Sequence, residues 1–339
     1  MLKVYRNILV PLKFLVISIC CVAQNNAVTY PYTWTTQNNP IVKHAYLCDP
    51  SAKVFSDGKI WVYLSHDADT AENYDSMADY HILSTADMKT WTDHGVGLSL
   101  TDITWANTHL WAPDAAERNG KYYLYAPANF HIGVFVSNSP QGPFVDALGK
   151  PLIPIDRAID PMVFIDDDNQ AYLYFSRNGE DCYVVKLKDN MVEIEGVIKE
   201  LTNWSIRNTV NGDYNFVEGP FVHKFNNTYY MTYPAKKYKH GTKRNKEGDE
   251  VICYATSNDP MGPFEYKGIV ANESGIHTIH QSIVKFNGAY FFFYHNGALA
   301  TAKGEENFKK YRRSLCFNKL VHNPDGSLKL VNQTKNSFE

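Results

Sequence analysis

Residues 159–176 read IDPMVFIDDDNQAYLYFS: a short apolar run, a turn rich in Asp and Asn, and an alternating aromatic strand. Four more stretches repeat this phrase, namely CDPSAKVFSDGKIWVYLS (48–65), APDAAERNGKYYLYAP (112–127), VEGPFVHKFNNTYYMTYP (217–234) and IHQSIVKFNGAYFFFYH (279–295). An apolar run and an alternating strand joined by a tight turn such as Asp-Gly or Asn-Gly are typical of a β-hairpin. The sequence therefore predicts five related hairpins.

Each copy begins with a polar residue at an equivalent position, and these positions are 46 to 65 residues apart: Asp49, Asp114, Asp160, Glu218 and Gln281. Self-similarity on this scale indicates a repeat architecture, and the spacing is close to one four-stranded blade. We therefore predict an all-β fold, a five-bladed β-propeller. The first strand of each blade should line the central channel, so the five polar residues should meet at one end of it.

The chain length and composition fit one such propeller. Five blades use nearly all of the 339 residues, so we predict a single propeller domain over residues 24–339. The aromatic content of 14% suits β-strands. The net charge of only −3 argues against a nucleic-acid partner, which requires a basic face, and suits an uncharged ligand such as a sugar.

Residues 1–23 have the pattern of an export signal: a basic start, an apolar stretch and a small-x-small cleavage site ending at Ala23. The mature protein is therefore expected to be exported, either periplasmic or secreted. Lys13 interrupts the apolar stretch, which argues against a lasting membrane span. Lipidation at Cys20 or Cys21, which would make the protein a lipoprotein, stays open as an alternative.

Two polar stretches and the chain ends complete the pattern. Residues 203–215 and 236–249 flank the Glu218 hairpin, and we interpret the basic run within the second stretch as a solvated loop. Residues 311–331 predict two strands around an Asn-Pro-Asp-Gly turn, which would complete the last blade with help from the N-terminal segment.

Four cysteines remain after the signal, and none has the spacing of a metal site. A disulfide is allowed in an exported protein but not required. We predict that all four pack as small buried side chains; they are Cys48, Cys182, Cys253 and Cys316.

Three of the equivalent positions carry carboxylates in similar frames: Asp49-Pro50, Asp160-Pro161 and Glu218-Gly219-Pro220. For any one of them alone, a turn at a strand entrance is the simpler explanation. Three carboxylates directed into one channel raise one another's pKa, and such clusters are typical of catalytic sites. Glycosidic bond hydrolysis needs two carboxyl groups of unequal pKa, one as acid and one as base or nucleophile.

With these motifs the sequence resembles glycoside hydrolase family 43, a family of five-bladed propeller enzymes, over essentially the whole mature chain. The resemblance implies inverting hydrolysis of arabinofuranosides, xylosides or, in some branches, galactosides. It also implies a role for each carboxylate: Asp49 as general base, Asp160 as the pKa modulator that orients the acid, and Glu218 as general acid.

The resemblance extends to His280, which matches a blade-five motif that many members place near a calcium or other ion in the channel. Here the motif reads Thr-Ile-His-Gln-Ser over residues 278–282, with Ile279 in place of a glycine. A lone histidine is a poor ligand for calcium, which prefers oxygens. Calcium at His280 and a direct sugar or water contact therefore both stay open, and no other cofactor is expected to be required.

Substrate contacts are expected from several further residues. Trp111 is similar to the aromatic residue that walls the sugar subsite in the family, although a Trp at a strand start is often a core residue. Arg313 matches a family arginine that reaches toward the pocket, with the adjacent Arg312 as the alternative. The remaining candidates for substrate contact are His109, Phe130 and Gln281.

Other classes of function fit the sequence less well. A non-catalytic carbohydrate-binding propeller would not need three convergent carboxylates, and the motifs of WD and kelch scaffolds do not recur. Retaining sucrose-cleaving propellers carry Asn-Asp-Pro, where this chain has Cys48-Asp49-Pro50. The partner is expected to be an oligo- or polysaccharide of plant type. Removal of terminal α-L-arabinofuranosyl groups ranks first, β-xylosidase activity second and exo-β-galactosidase activity third.

Overall fold

The computed structural model describes residues 28–201, 214–238 and 246–339. The predicted export signal at residues 1–23 lies outside the described residues, as do most of the two polar stretches beside the Glu218 hairpin. The described chain forms five antiparallel sheets with very little helix, so the predicted all-β, five-bladed propeller is confirmed. No helix in these three segments is long and apolar enough to cross a membrane.

The first blade has five strands in the order β1-β5-β4-β3-β2: β1 (Tyr32–Thr35), β2 (Tyr46–Val54), β3 (Ile60–Asp67), β4 (Asp79–Thr85) and β5 (Thr90–Ser99). The second and third blades have four strands each, in sequence order: β6 (Asp114–Arg118), β7 (Lys121–Ala128), β8 (His131–Ser137), β9 (Val145–Asp146), β10 (Ala158–Ile165), β11 (Ala171–Arg177), β12 (Asp181–Leu187) and β13 (Ile194–Glu200).

The fourth blade contains β14 (Tyr214–Phe216), β15 (Phe221–Phe225), β16 (Thr228–Tyr238), β17 (Lys246–Ser257) and β18 (Glu265–Ala271). The fifth blade has three strands: β19 (Ser282–Phe286), β20 (Ala289–Asn296) and β21 (Ser314–Leu320). Within the described segments, the helical elements are one short α-helix, α1 (Ala298–Ala302), and 3-10 turns at Tyr74–Ser76, Leu100–Asp102 and Glu306–Phe308.

The first full strand of each blade lies at the centre of the molecule. Strands β2, β6, β10, β15 and β19 each contact the next one, and β19 contacts β2, so they form a closed ring. The starts of these five strands therefore face one end of a common channel, as the repeat predicted.

The hairpin turns explain why the repeated phrase folds as it does. Asn119 and Gly120 both have positive φ, as do Asn226 and Asn227, and Asn287 with Gly288. Two consecutive positive φ angles define the type I′ turn, which matches the twist of the flanking strands and favours Asn and Gly. The turn residues thus set the register of the central hairpins in the second, fourth and fifth blades.

The core lies between neighbouring blades, where alternate side chains of facing sheets pack together. Between blades one and five, for example, Val62 and Leu64 of β3 join a cluster with Phe291 and Phe293 of β20. The cysteines belong to these buried layers: all four described cysteines are buried and none forms a disulfide. Their predicted packing role is confirmed.

The chain ends join the first and last blades. Strand β1 adds to the outer edge of the first blade, and the Asn39 side chain donates to the carbonyl oxygens of Phe317 and Thr334 near the C-terminus. The predicted second C-terminal strand is wrong, since only two isolated bridges, His322 with Leu328 and Asn38 with Asn336, follow β21. The backbone N–H groups of Leu328 and Val331 instead donate to Tyr254 and Val270 of the fourth blade.

Candidate active site

One pocket of about 320 Å³ lies where the central strands begin. Six of the nine residues singled out from the sequence line it: Asp49, Trp111, Asp160, Glu218, His280 and Arg313. A larger open depression, of about 930 Å³, lies on the outer part of the fourth blade and shares no residue with this pocket. The convergence of carboxylates makes the smaller pocket the candidate active site.

The Asp-Pro frames place two of the carboxylates through β-bulges. The pairing of β2 with β3 shifts register between Cys48 and Ser51, and that of β10 with β11 shifts between Ile159 and Met162. Asp49 and Asp160 adopt positive φ angles of 49° and 53° at these bulges. A proline is tolerated within a strand at a bulge, because it has no N–H to give to the ladder. Such strained non-glycine residues are concentrated at functional sites.

Asp49 is a buried carboxylate held by a cation. Arg313 Nη1 donates to Asp49 Oδ1 over 2.8 Å. Burial raises the pKa of Asp49, but the Arg313 guanidinium and the smaller effects of neighbouring polar side chains together bring that pKa down to about 2. Asp49 is therefore ionised throughout the pH range in which proteins are folded and active.

His295 holds the Asp49 backbone as a neutral imidazole. The Asp49 N–H donates to His295 Nδ1 over 3.1 Å, and His295 Nε2–H donates to the Thr278 carbonyl oxygen over 3.1 Å. Burial and the nearby Arg313 lower the pKa of His295 to about 3. The approach of 3.3 Å between His295 Nδ1 and Asp49 Oδ1 is therefore not an ion pair.

Arg313 is itself fixed by Asp67, the last residue of β3. Its Nε and Nη2 atoms donate to the two oxygens of Asp67, each over 2.9 Å, and its backbone N–H donates to Asp67 Oδ2 over 2.8 Å. The planar guanidinium can bind one carboxylate with two donors and present a third donor to another. Asp67 thereby aims Arg313 at Asp49, and Arg313 rather than Arg312 is the pocket arginine.

The loop carrying Glu218 is anchored on both sides. The Gly219 N–H donates to Asp160 Oδ2 over 3.1 Å, and the Gly219 carbonyl accepts from Gln281 Nε2 over 2.9 Å. Gly219 has a φ of +55°, and an added Cβ would lie 3.0 Å from His280 Nδ1. Only glycine fits this backbone and this close approach, so Glu218 is presented to the pocket in a fixed position.

The prediction that Gln281 contacts substrate is wrong. Its side chain is fully buried behind the pocket and donates to the carbonyl oxygens of Gly219 and Thr232. The Nε2 group of this buried amide finds its acceptors on nearby backbone, and one of these, Gly219, belongs to the Glu218 loop. Gln281 is a positioning residue.

A fourth carboxyl group, that of Glu250 on β17, also lines the pocket. Its Oε1 lies 3.4 Å from Lys236 Nζ, and its Oε2 accepts from the Ile279 N–H over 3.0 Å. Both Glu250 and Lys236 are buried, so Lys236 is not part of a solvated loop as interpreted from the sequence. Neither residue occupies the equivalent position of the repeat. Both lie in a charged stretch whose strand pairing was not predicted from the sequence.

Burial and mutual repulsion raise the pKa of two carboxyl groups of the pocket, those of Asp160 and Glu250. Burial, with the charges of Glu218 and Asp49, raises the pKa of Asp160 well above its usual range. Burial and Glu218 raise the pKa of Glu250 to about 8, although Lys236 opposes this change. The pocket therefore has an ionised carboxylate at Asp49 and, across from it, carboxyl groups that retain protons near neutral pH.

Trp111 forms an aromatic wall of the pocket. Its Nε1–H donates to the Tyr74 carbonyl oxygen over 2.9 Å, which fixes the plane of the indole. His109 and Phe130 pack against its ring with centroid distances of 4.8 and 5.2 Å. These two residues do not line the pocket; they border a neighbouring shallow depression next to it.

His280 faces the pocket as a partly buried imidazole, and its surroundings lower its pKa mainly by desolvation. Among the described residues, the one group of three or more His, Cys, Asp or Glu side chains close enough to share an ion does not include His280. The predicted metal at His280 therefore receives no support from a cluster of such side chains.

Asp114, the acidic residue of unassigned role in the repeat, joins three blades. Its oxygens accept from the Ser51 hydroxyl and from the Val163 N–H, and Lys53 Nζ lies 2.9 Å away. All of these partners are on strands of the central ring. Asp114 is a buried link between blades and is absent from the lining of the pocket.

Comparisons with known proteins show which family this chain resembles. The profile of the family described as Glycosyl hydrolases family 43 matches residues 37–328. The chain is 33% identical over 341 residues to Xylosidase/arabinosidase 43A of Humicola insolens, covering 85% of this chain and 98% of that protein.

Two solved structures illustrate the structural likeness. A family 43 β-xylosidase/α-arabinofuranosidase from a compost metagenome, solved with xylotriose in a calcium-free form, has a TM-score of 0.72 and 34% identity, covering 88% of this chain and 98% of its own. The family 43 subfamily 1 enzyme of Xanthomonas citri complexed with xylose has a TM-score of 0.74 and 33% identity, covering 88% of this chain and 94% of its own.

Proposed function

Because the chain belongs to glycosyl hydrolase family 43 and is therefore a glycoside hydrolase, we propose that it releases terminal xylosyl and α-L-arabinofuranosyl groups from oligosaccharides of the xylan and arabinoxylan type. Relatives named xylosidase/arabinosidase, β-xylosidase and arabinoxylan arabinofuranohydrolase support this substrate class. A small pocket, rather than an open groove, suits attack on a single terminal sugar.

We propose an inverting mechanism with Asp49 as general base, Glu218 as general acid and Asp160 as the group that orients Glu218. The observation that carries this assignment is the contrast between the two sides of the pocket. Arg313 keeps Asp49 ionised, whereas burial and mutual repulsion keep protons on the carboxyl groups around Glu218. An inverting enzyme needs this pair: one group to take a proton from water and one to give a proton to the leaving oxygen.

A panel of nitrophenyl glycosides tests the proposed substrate class. We expect turnover of the β-D-xyloside and the α-L-arabinofuranoside, and little or none of the β-D-galactoside. Turnover of the galactoside alone would contradict the proposed substrates. Activity on none of them, together with retained binding to arabinoxylan, would instead support the carbohydrate-binding propeller.

Replacing Arg313 with Lys is expected to move the acidic limb of the kcat/KM profile to higher pH. A lysine ammonium cannot bind both oxygens of Asp67 and still donate to Asp49, so burial would raise the pKa of Asp49 with less opposition. Asp49 must be ionised to act as base, so kcat/KM should fall about tenfold for each pH step of about one below the new limb.

The matched control for this variant is Arg312→Lys. Arg312 pairs with Glu305 and does not line the pocket, so its variant should keep the original acidic limb. Melting temperatures of both variants would show that each is folded at the assay temperature. An unchanged acidic limb in Arg313→Lys would mean that Arg313 does not set the charge of Asp49.

Replacing Glu250 with Gln is expected to move the basic limb of kcat/KM to lower pH. The charge of Glu250 is one of the effects that raise the pKa of Asp160. Removing that charge lowers the pKa of Asp160, so its proton is lost at a lower pH. Above the new limb kcat/KM should fall about tenfold for each pH step of about one, with little change at acidic pH. The exposed Glu265→Gln serves as control. If the basic limb does not move, Glu250 does not contribute to the titration that limits kcat/KM at high pH.

Calcium is not part of this proposal, because among the described residues no group of His, Cys, Asp or Glu side chains close enough to share an ion includes His280. We do propose export, because a basic start, an apolar stretch and a cleavage site precede the propeller. The expected mature protein begins at Gln24, and the mass of the protein recovered outside the cytoplasm measures this directly. A recovered protein that retains residues 1–23 would contradict the proposal.

A further inference from the structure

A second group of polar side chains lies on one face of the first blade, away from the pocket lining. In the pairing of β3 with β4, Leu64 is opposite His81 and Ser65 is opposite Tyr80, so His66 comes next to Asp79. Side chains alternate along a strand, so Asp79 and His81 point to the same side. His66, Asp79 and His81 therefore share one face of two neighbouring strands.

The ligand atoms of these three residues are close together. His66 Nδ1 lies 2.9 Å and His81 Nε2 lies 4.0 Å from Asp79 Oδ1, and all three atoms are within 4.8 Å of one another. A tetrahedral zinc ion with bonds of about 2.0–2.1 Å has its ligands about 3.3 Å apart. Small side-chain rotations would bring the three atoms to that spacing.

The histidine that is most buried is already oriented as a ligand. His81 Nδ1 lies 3.1 and 3.0 Å from the two oxygens of Asp93, so its Nδ1–H is directed at that carboxylate and its Nε2 atom is directed toward Asp79. Asp93 is held in turn by His44 Nε2 over 2.9 Å and by the Gly95 N–H over 2.8 Å. A carboxylate behind a metal-binding histidine fixes its tautomer and its orientation in many metal sites.

The site has a route to solvent and an appropriate charge. The His66 and Asp79 side chains are 26% and 27% exposed, whereas that of His81 is 4% exposed, so the group opens to solvent on one side. Two carboxylates, Asp79 and Asp93, lie at this face of the blade. Their negative charge favours a divalent cation over an anion. Two imidazoles and one carboxylate suit zinc far better than calcium or magnesium.

We propose that His66, Asp79 and His81 bind one zinc ion, with water as the fourth ligand. The ion would join β3 to β4 one residue before Asp67, the residue that aims Arg313 into the pocket. Its expected effect is on the stability of the first blade, because none of the three ligands lines the pocket. Anything that binds the folded chain and not the unfolded one raises the melting temperature.

The test uses the complete mature chain without a polyhistidine tag, first dialysed against EDTA. Isothermal titration with zinc chloride at neutral pH should show one zinc per chain, and zinc but not calcium should raise the melting temperature. His66→Gln, which removes a partly exposed ligand, should weaken zinc binding by about 100-fold or more, and Asp93→Asn by about 10–100-fold.

His131→Gln is the matched control. His131 also lies on a strand beside a carboxylate, Asp156 at 3.5 Å, but belongs to no three-residue group among the described residues. Its variant should bind zinc as the unchanged protein does. Cobalt bound to the unchanged protein should give the intense visible bands of a tetrahedral site, a readout that needs no variant. A protein that binds no stoichiometric zinc, or a folded His66→Gln that binds it normally, overturns the proposal.

Discussion

Glu218→Gln is expected to lower kcat/KM on xylobiose by about 10²–10⁴-fold, the usual contribution of a general acid. A glutamine amide keeps the size of the side chain but has no acidic proton for the leaving oxygen. The loss should be much smaller on a dinitrophenyl xyloside, because dinitrophenolate leaves without being protonated. Steady-state kinetics on both substrates measure this difference.

The control for this variant is Glu265→Gln, the same substitution at an exposed site paired with Lys267. The kcat/KM of this control variant should be unchanged on both substrates. Equal losses on xylobiose and on the dinitrophenyl xyloside would contradict the role of Glu218 as acid. That result would fit a residue needed only to shape the pocket.

Asp49→Asn is expected to lower kcat/KM by about 10⁴-fold on both substrates, at the upper end of the range for a general base. An asparagine cannot take a proton from the attacking water, and a better leaving group does not remove that need. The fold should persist, because the asparagine oxygen can still accept from Arg313 Nη1 and the backbone N–H still donates to His295.

Two control measurements support the interpretation of Asp49→Asn. Asp189→Asn, at a side chain that is 96% exposed, should show ordinary activity. The substrate or product affinity of Asp49→Asn, measured by titration, should change far less than kcat. Recovery of activity on the dinitrophenyl substrate alone would mean that Asp49, and not Glu218, assists the leaving group.

The repeated phrase was sufficient to predict the fold because its information is local. Alternating strands and Asn-Gly or Asn-Asn turns are decided within about 18 residues, and five copies imply a closed ring. The same local frame placed Asp49 and Asp160 at bulges and Glu218 at a glycine loop. These three carboxylates were therefore found together in the pocket, as predicted.

The rest of the site depends on contacts that no local pattern records. Glu250 and Lys236 face the pocket from β17 and β16 through pairing across a stretch that looks like a charged loop. Asp67 contributes to the site only through its hydrogen bonds with Arg313, which lies 246 positions away in the sequence. Gln281 shares the phase of the catalytic positions, yet its amide turns to the backbone of the Glu218 loop.

Non-local hydrogen bonding also explains the remaining differences in the fold. Residues 321–331 form a turn closed by their own backbone hydrogen bonds, but the N–H groups of Leu328 and Val331 donate to the fourth blade. Asp114 occupies the same position of the repeat as the proposed active-site carboxylates, but its oxygens bind Ser51, Lys53 and Val163 and join blades. Position in a repeat therefore does not by itself identify a catalytic group.

The stereochemistry of the first product tests the proposed mechanism most directly. Asp49 as base and Glu218 as acid require water to attack from the face opposite the leaving group, so the sugar is released with inverted configuration. Proton NMR during hydrolysis of a β-D-xyloside should show α-xylose first, with β-xylose growing only through mutarotation. Initial release of β-xylose would contradict this mechanism, because retention requires a covalent intermediate and a nucleophile in place of a base.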